Sequence, residues 1–279
     1  MQILRWLFVA AVGWMSGGSA DAGELNDRFG VTQLNPTVAS GREWFAAWDA
    51  PRVVPAYSID PADPLLRNGD RELRIGQGIA SIDVGQTRLA VLTTKNAKGN
   101  YAARLWQNVE MTIYVRPGKI AQTIDYQAID LSARSGERHN DAAPCDGTSY
   151  HATVRFDGQI GFKKEIWHTG GYTKLRPAPA PRPWPTVPPA KWLGMKFVCR
   201  NCDGDAHVRL QVYLDLDEQN AWKLAVQFTD AGDWLGAQAG CDRPQNYIIR
   251  EGRPTVYFRT DQVAVELKKF SVREIAPLP

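Results

Sequence analysis

Strict two-residue alternation of apolar and polar side chains runs through this chain and leaves little room for anything but β-structure. From His207 to Asp215, Val208, Leu210, Val212 and Leu214 share one side of an extended backbone, while Arg209, Gln211, Tyr213 and Asp215 share the other. Successive side chains of a strand point to opposite faces, so this is the pattern of a half-buried strand. It recurs over Trp222–Phe228, Val109–Val115, Lys196–Cys199 and Thr255–Arg259, and over Val263–Ile275 with a break in the middle. Glycine, proline, Asn and Asp separate these runs at strand-and-turn spacing. Helical periodicity is confined to a short candidate helix around Gly41–Trp48. Many antiparallel strands in one unit predict two sheets packed face to face, an all-β antiparallel sandwich or jelly roll.

Residues 1–22 read as a signal peptide. Arg5 precedes a short apolar run from Trp6 to Met15, and Ala20-Asp21-Ala22 supplies an Ala-x-Ala cleavage signal. The apolar run falls short of the roughly 20 residues a membrane span needs. The remainder, residues 23–279, fits one domain, since all-β domains reach roughly 200–250 residues. Within it, residues 23–75 are rich in Asp, Pro and Arg and are predicted to wrap the sandwich edge. Residues 176–190 carry seven prolines and must run extended, either as a stiff connector or as a rim presenting Trp184 to a ligand. A net charge of +3 with both signs interspersed gives no nucleic-acid footprint and no second membrane signal. The expected product is a monomer, secreted or periplasmic.

Four cysteines in an exported chain suggest disulfides, with three pairings open in principle. The expectation is Cys145 with Cys241, whose long loop restricts the unfolded chain most, and Cys199 with Cys202. No second Cys-x-x-Cys follows, so neither a zinc site nor any other metal centre is predicted. Calcium is the one ion for which oxygens are available, at Asp203-Gly-Asp205 and Asp215–Glu218.

The segment Tyr150–His168 reads as a hairpin around Asp157-Gly158. A loop over 157–159 places Ala152, Val154 and Phe156 on one face with Ile160, Phe162 and Ile166. The other face carries His151, Thr153 and Arg155 beside Lys163, Glu165 and Trp167, with His151 opposite Glu165. That face is either a solvated sheet surface or a site combining base, acid, cations and a ring able to stack on a sugar. His168 follows, either turned into the core beside Ile166 or swung by a bulge towards Glu165, which would suit it to proton transfer.

Asp27-Arg-Phe-Gly-Val31, Gly41-Arg-Glu-Trp44, Cys145-Asp146, Arg155-Phe-Asp-Gly158, Lys164-Glu165-x-x-His168, Trp192-Leu-Gly-Met-Lys196, Val256-Tyr-Phe-Arg259 and Ser271-Val-Arg-Glu-Ile275 resemble a group of secreted proteins. That group is similar in turn to the concanavalin A-like lectin and glucanase superfamily, which includes jelly-roll polysaccharide lyases acting on alginate, glucuronan or heparin. The resemblance implies the sandwich fold, a Cys145–Cys241 bridge and a polysaccharide or oligosaccharide partner. The Glu-x-Asp-x-x-Glu motif of the superfamily's glucanases is absent, which argues against retaining hydrolysis. Elimination of a uronate needs a cation for the carboxylate, a base for the C5 proton and an acid for the leaving oxygen. The candidates are His168, Glu165, Tyr172 and Arg155 for catalysis. Arg116, His139, His151, Lys163, Lys164, Trp167 and Trp184 are the candidates for substrate binding. Gly161 stands where known alginate lyases would have His after Gln-Ile. The competing readings are a non-catalytic glycan-binding module, in which Trp167, Trp184 or Trp234 holds a sugar, and an envelope protein without a ligand.

Overall fold

The computed structural model describes residues 25–94, 105–120, 127–137 and 141–279; the predicted signal peptide and His139 lie outside them. The described strands are β1 (Glu43–Phe45), β2 (Arg52–Val54), β3 (Ile59–Asp60), β4 (Asp63–Asn68), β5 (Leu73–Gly76), β6 (Ile79–Ile82), β7 (Gln86–Leu92) and β8 (Val109–Pro117). They continue as β9 (Ala128–Ser135), β10 (Ser149–Arg155), β11 (Ile160–Glu165), β12 (Leu193–Cys202), β13 (His207–Asp215), β14 (Lys223–Asp230), β15 (Thr255–Asp261) and β16 (Val265–Glu274). Among the described residues these form two antiparallel sheets. One has nine strands in the order β14-β13-β12-β8-β16-β6-β5-β2, with β1 alongside β16, and the other has seven in the order β11-β10-β9-β15-β7-β4-β3. The all-β antiparallel sandwich expected from the alternation is what forms. Gly41–Trp48 is not helical: Glu43–Phe45 pairs with Arg273–Ser271, because Trp44 finds its burial under β16. No helix among the described residues is long and apolar enough to cross a membrane.

The inward faces interlock as one core. Leu89, Val91, Ile129, Leu131, Val154, Phe162 and Phe258 from one sheet meet Met111, Ile113, Met195, Phe197, Leu210, Val212 and Leu267 from the other. The break in the Val263–Ile275 alternation is a β-bulge, with a register shift between Lys268 and Ser271 and Lys269 at φ 52°. It lets Val265 and Leu267 before it, and Phe270 and Val272 after it, all face inward.

Cys145 and Cys241 are bridged, Cα to Cα 5.4 Å. Cys199 and Cys202 are both buried and free, contrary to the expected second bridge. They lie three residues apart on β12, hence on opposite faces, and a strand rise of roughly 3.3 Å per residue separates their Cα atoms by about 10 Å, beyond disulfide reach.

Residues 25–42 lie over the outer face of the nine-stranded sheet, held by one buried carboxylate. Glu110 accepts hydrogen bonds from the Leu34 and Asn35 backbone N–H groups and the Asn35 amide, and from Lys196 Nζ (3.2 Å) and Arg273 Nη2 (2.6 Å). Arg273 in turn donates to Gln33, the Asn35 carbonyl and Thr37. Residues 176–190 close the free edge of β11: Ile160 N–H donates to Pro181 O, Val187 N–H donates to Phe156 O, and Phe162 and Arg176 exchange backbone bonds. An exposed strand edge is thereby covered.

Glu110→Ala leaves Lys196 and Arg273 buried without their counter-charge. It is expected to lower the unfolding free energy by roughly 3–5 kcal/mol, read in urea denaturation, and to open residues 25–42 to protease. An unchanged midpoint would show that the carboxylate does not clamp this segment.

Candidate functional site

Because the core takes alternate residues of each strand in the seven-stranded sheet, the intervening ones line up on its outer face. The register sets Lys163, His151, Ser132, Tyr257, Ala90 and Arg67 in one row. Gly161, Thr153, Asp130, Arg259 and Arg88 form the next. Over these rows lies a hollow of about 750 Å³ lined by Arg67, Arg88, Ser132, His151, His168, Tyr172, Tyr257 and Arg259, among others, with the exposed ring of Tyr57 at its rim.

The hairpin forms with the predicted faces but a different register. Its loop is Phe156-Asp157-Gly158, closed by Arg155 N–H to Gln159 O, with Gly158 at φ 84°. His151 therefore stands opposite Lys163 and Ser149 opposite Glu165, so that His151 meets Glu165 diagonally. Gly158 also admits the proline-rich segment 176–190, since a Cβ there would sit 1.8 Å from Trp184 O.

His168 is not in the core. After β11 the chain reverses over Ile166–Gly171, with Thr169 at φ 73° and Gly171 N–H donating to Trp167 O. Tyr172 then pairs back beside Glu165. Any side chain at Gly170 would collide with the Trp167 ring, its Cβ only 2.0 Å from Trp167 Cζ2. The reversal is pinned from behind: His168 N–H donates to Pro144 O, next to the Cys145–Cys241 bridge, and Arg243 donates to both Cys145 O and Ile166 O.

Within this corner His168 Nδ1 lies 2.7 Å from Glu165 Oε1, and the Tyr172 hydroxyl is 3.3 Å from the same nitrogen. Glu165 is fully buried and accepts the imidazole N–H, which turns His168 Nε2 to the hollow, 3.3 Å from the exposed Asp141. The bond to Glu165 raises the His168 pKa above its ordinary 6.5, against a smaller effect of burial. Burial and the Glu165 charge push the Tyr172 phenol well above its ordinary 10, so it stays protonated. On the floor Asp261 is shared by two guanidiniums, Arg88 Nη2 at 2.9 Å and Arg259 Nε at 3.1 Å. Burial and the neighbouring Arg259 lower the pKa of Arg88. Among the described residues, the terminal nitrogens of Arg259 have no hydrogen-bond partner.

Of the residues proposed from sequence, His168, Glu165, Tyr172 and His151 converge here. The others do not. Lys164 alternates to the inner face, where it is sealed with Asp230 (2.8 Å) and the Tyr247 carbonyl. Trp167 is wedged against Gly170, Gly171 and Gly240 and donates to Gln238 O. Arg155 pairs with Asp157 at the hairpin tip, four residues along β10 from His151. Trp184 packs over that tip beside a separate small hollow it shares with Trp192. Arg116 belongs to the other sheet, paired with Glu266 and stacked on Trp192. Trp234 is core, against Tyr150 and Phe228. Lys163 shares the outer face without lining the hollow. Of the oxygens considered for calcium, those of Asp215 accept from Tyr114 Oη and from two backbone N–H groups, and Asp203 pairs with His207. No three His, Cys, Asp or Glu side chains among the described residues converge as a metal site. Sequence reasoning missed Arg67, Arg88, Asp130, Ser132, Tyr257, Arg259 and Asp261. The alternation of Val256-Tyr257-Phe258-Arg259 signals which of its residues face outward, but not which strands lie alongside.

No protein-family model and no curated protein matches the sequence. Among solved structures, the VIP36 exoplasmic/lumenal domain in its Ca²⁺-bound form is similar at 9% identity over 80% of this chain and 90% of that one, with a TM-score of 0.38. Peanut lectin is similar at 9% identity over 81% and 99% with a TM-score of 0.39, and lectin II from Ulex europaeus at 6% over 81% and 99% with 0.40.

Proposed function

We propose that the protein is an exported glycan-binding protein whose hollow on the seven-stranded sheet receives an acidic sugar of a polysaccharide or oligosaccharide. One observation carries this reading: a 750 Å³ hollow is floored by a guanidinium, Arg259, whose terminal nitrogens are unengaged among the described residues. A planar guanidinium fork matches a carboxylate in two parallel hydrogen bonds. Around it stand polar partners for a sugar, namely the hydroxyls of Tyr172 and Tyr257, and the exposed Tyr57 ring for a pyranose face. The Cys145–Cys241 bridge fits an oxidising compartment.

A second reading, elimination at a uronate, is favoured by the His168–Glu165–Tyr172 geometry. In that reaction His168 Nε2 takes the C5 proton while Arg259 holds the carboxylate. The C4–O bond breaks as the C4–C5 double bond forms, and the Tyr172 phenol protonates the departing oxygen. Its raised pKa makes Tyr172 the acid rather than the base. Glu165 is buried against two histidines, which suits an orienting carboxylate better than a glycosidase nucleophile.

Titration calorimetry with oligouronates from alginate and glucuronan is expected to give binding that a neutral glucan does not. Arg259→Ala should weaken it roughly ten- to hundredfold, the scale of a charged hydrogen bond. Equal affinity for the neutral glucan, or an unaffected Arg259→Ala, would remove the acidic-sugar reading.

Elimination is tested by the ultraviolet absorbance of unsaturated uronates during incubation with the same polymers. His168→Ala and Tyr172→Phe are expected to abolish the rise while oligouronates still bind. The base must be neutral, so the rate should climb with pH through the His168 pKa, above about 6.5. Binding without any absorbance rise in the wild type would leave glycan binding alone.

A further inference from the structure

His151 was expected to touch substrate, but both of its nitrogens are taken. Nδ1 lies 2.8 Å from Ser132 Oγ and 3.2 Å from Asp130 Oδ1, and Ser132 Oγ donates to the same Asp130 oxygen at 2.6 Å. Nε2 lies 2.6 Å from Ser149 Oγ and 3.4 Å from Glu165 Oε2. The ring is only 4% exposed and meets the hollow at its floor. A continuous buried chain thus runs Asp130–His151–Glu165–His168, with Tyr172 at the end nearest the hollow.

We propose that His151 is a positioning residue, a buried imidazolium clamped between Asp130 and Glu165 that keeps Glu165 ionised and turned to His168, and so keeps His168 Nε2 facing the hollow, where it exchanges a proton with whatever occupies it.

The charge count requires this arrangement. Two carboxylates, Asp130 on β9 and Glu165 on β11, are buried on either side of β10, which carries His151, and a buried carboxylate without a counter-charge takes up a proton instead. The charged groups facing His151 are Asp130 from β9 and Glu165 from β11, with Lys163 across the strand pair and Arg259 beyond Asp130 from β15. Those facing His168 are Glu165, Tyr172, Asp141 and Arg259. Burial pushes the His151 pKa down, but Asp130 and Glu165 outweigh it and leave it raised. Asp130 shows the complement: burial pushes it up, and His151, Arg259 and Ser132 together bring it below its ordinary value. With the imidazolium in place Glu165 is already partly neutralised and holds the His168 proton only moderately. Without it, the Glu165–His168 pair binds that proton more tightly, because the repulsion between the two rings is gone and the carboxylate has one cation in place of two. The pair titrates as a unit.

The chain has four histidines, so each imidazole can be assigned by single substitution in long-range proton–nitrogen NMR of the full-length folded protein. His151 is expected to remain an imidazolium at neutral pH. His151→Gln, which keeps a polar side chain without the charge, should raise the apparent pKa of the Glu165–His168 pair by about one unit or more, the scale of a nearby charge. Asp130→Asn should lower the His151 pKa and move the pair in the same direction, and it carries the test where His151→Gln does not fold. A neutral His151 at pH 7, or a His168 titration that neither variant moves, would overturn the proposal. The role in catalysis rests on the elimination reading, where the acid limb of the pH–rate profile should move upward with the same variants. If no polymer is cleaved but the NMR shifts follow, that reading falls and the charge relay stands. If cleavage occurs with an unmoved acid limb, His151 is structural only.

Discussion

In the seven-stranded sheet the core decides what its other face presents. Leu89 and Val91, Ile129 and Leu131, Ala152 and Val154, and Val256 and Phe258 must all point at the nine-stranded sheet to bury their surface. At roughly 25 cal/mol per Å² of apolar area removed from water, a one-residue slip of any strand would expose its whole inward set. The register is therefore held by forces unrelated to the hollow, and Arg88, Asp130, His151, Tyr257 and Arg259 are delivered to it as a by-product. The strand-borne part of the site is thus fixed by the core, and among its loop-borne parts the turn carrying His168 and Tyr172 is fastened by the Cys145–Cys241 bridge and by Arg243.

Parity was readable in the chain and neighbourhood was not. Alternation assigns Tyr257 and Arg259 to the side opposite Val256 and Phe258, and the parity change between Leu267 and Phe270 marks the bulge at Lys269. What no single strand states is that β15 lies between β9 and β7, and only that order brings Arg259 against Asp130 and Arg88. An arginine on an outward strand position reads as a solvated side chain until its neighbours across the sheet are known. Lys164 is a different case, since parity already sets it on the inward face with Phe162 and Ile166, where Asp230 seals it in the interior.

The expected partners changed because the hairpin loop kept its three residues but sits one position earlier, over 156–158 in place of 157–159. The hairpin loop takes Phe156 along with Asp157 and Gly158, because the left-handed Gly158 closes a three-residue turn and the Phe156 ring still reaches the core. The pairing moves by two residues in sum, which preserves the faces and changes the partners. His151 gains Ser149 and Ser132 as hydrogen-bond neighbours and keeps Glu165 on a diagonal. For His168 the sequence allowed two outcomes, and the crowding of Trp167 against Gly170 and Gly171 decides between them. The turn is too tight for regular alternation to continue, so the imidazole swings to Glu165 in place of following Ile166 inward.

Two buried ionic clusters on opposite sides of the sandwich clarify what distinguishes structure from site. Around Glu110, the cations Lys196 and Arg273 and the backbone of residues 34 and 35 occupy the carboxylate, and Arg273 spends its own donors on Gln33, Asn35 and Thr37. The cluster is closed over by chain, and its work is to hold residues 25–42 in place. Around Asp261, one carboxylate faces two guanidiniums, and the outer nitrogens of Arg259 look onto a hollow with no partner among the described residues. Burying charge costs several kcal/mol per ion unless it is paired, so an arrangement with donors left over is maintained at a cost to the fold. That surplus lies beside the His168 imidazole, whose Nε2 faces the same hollow 3.3 Å from Asp141, and it is the feature on which the acidic-sugar proposal rests.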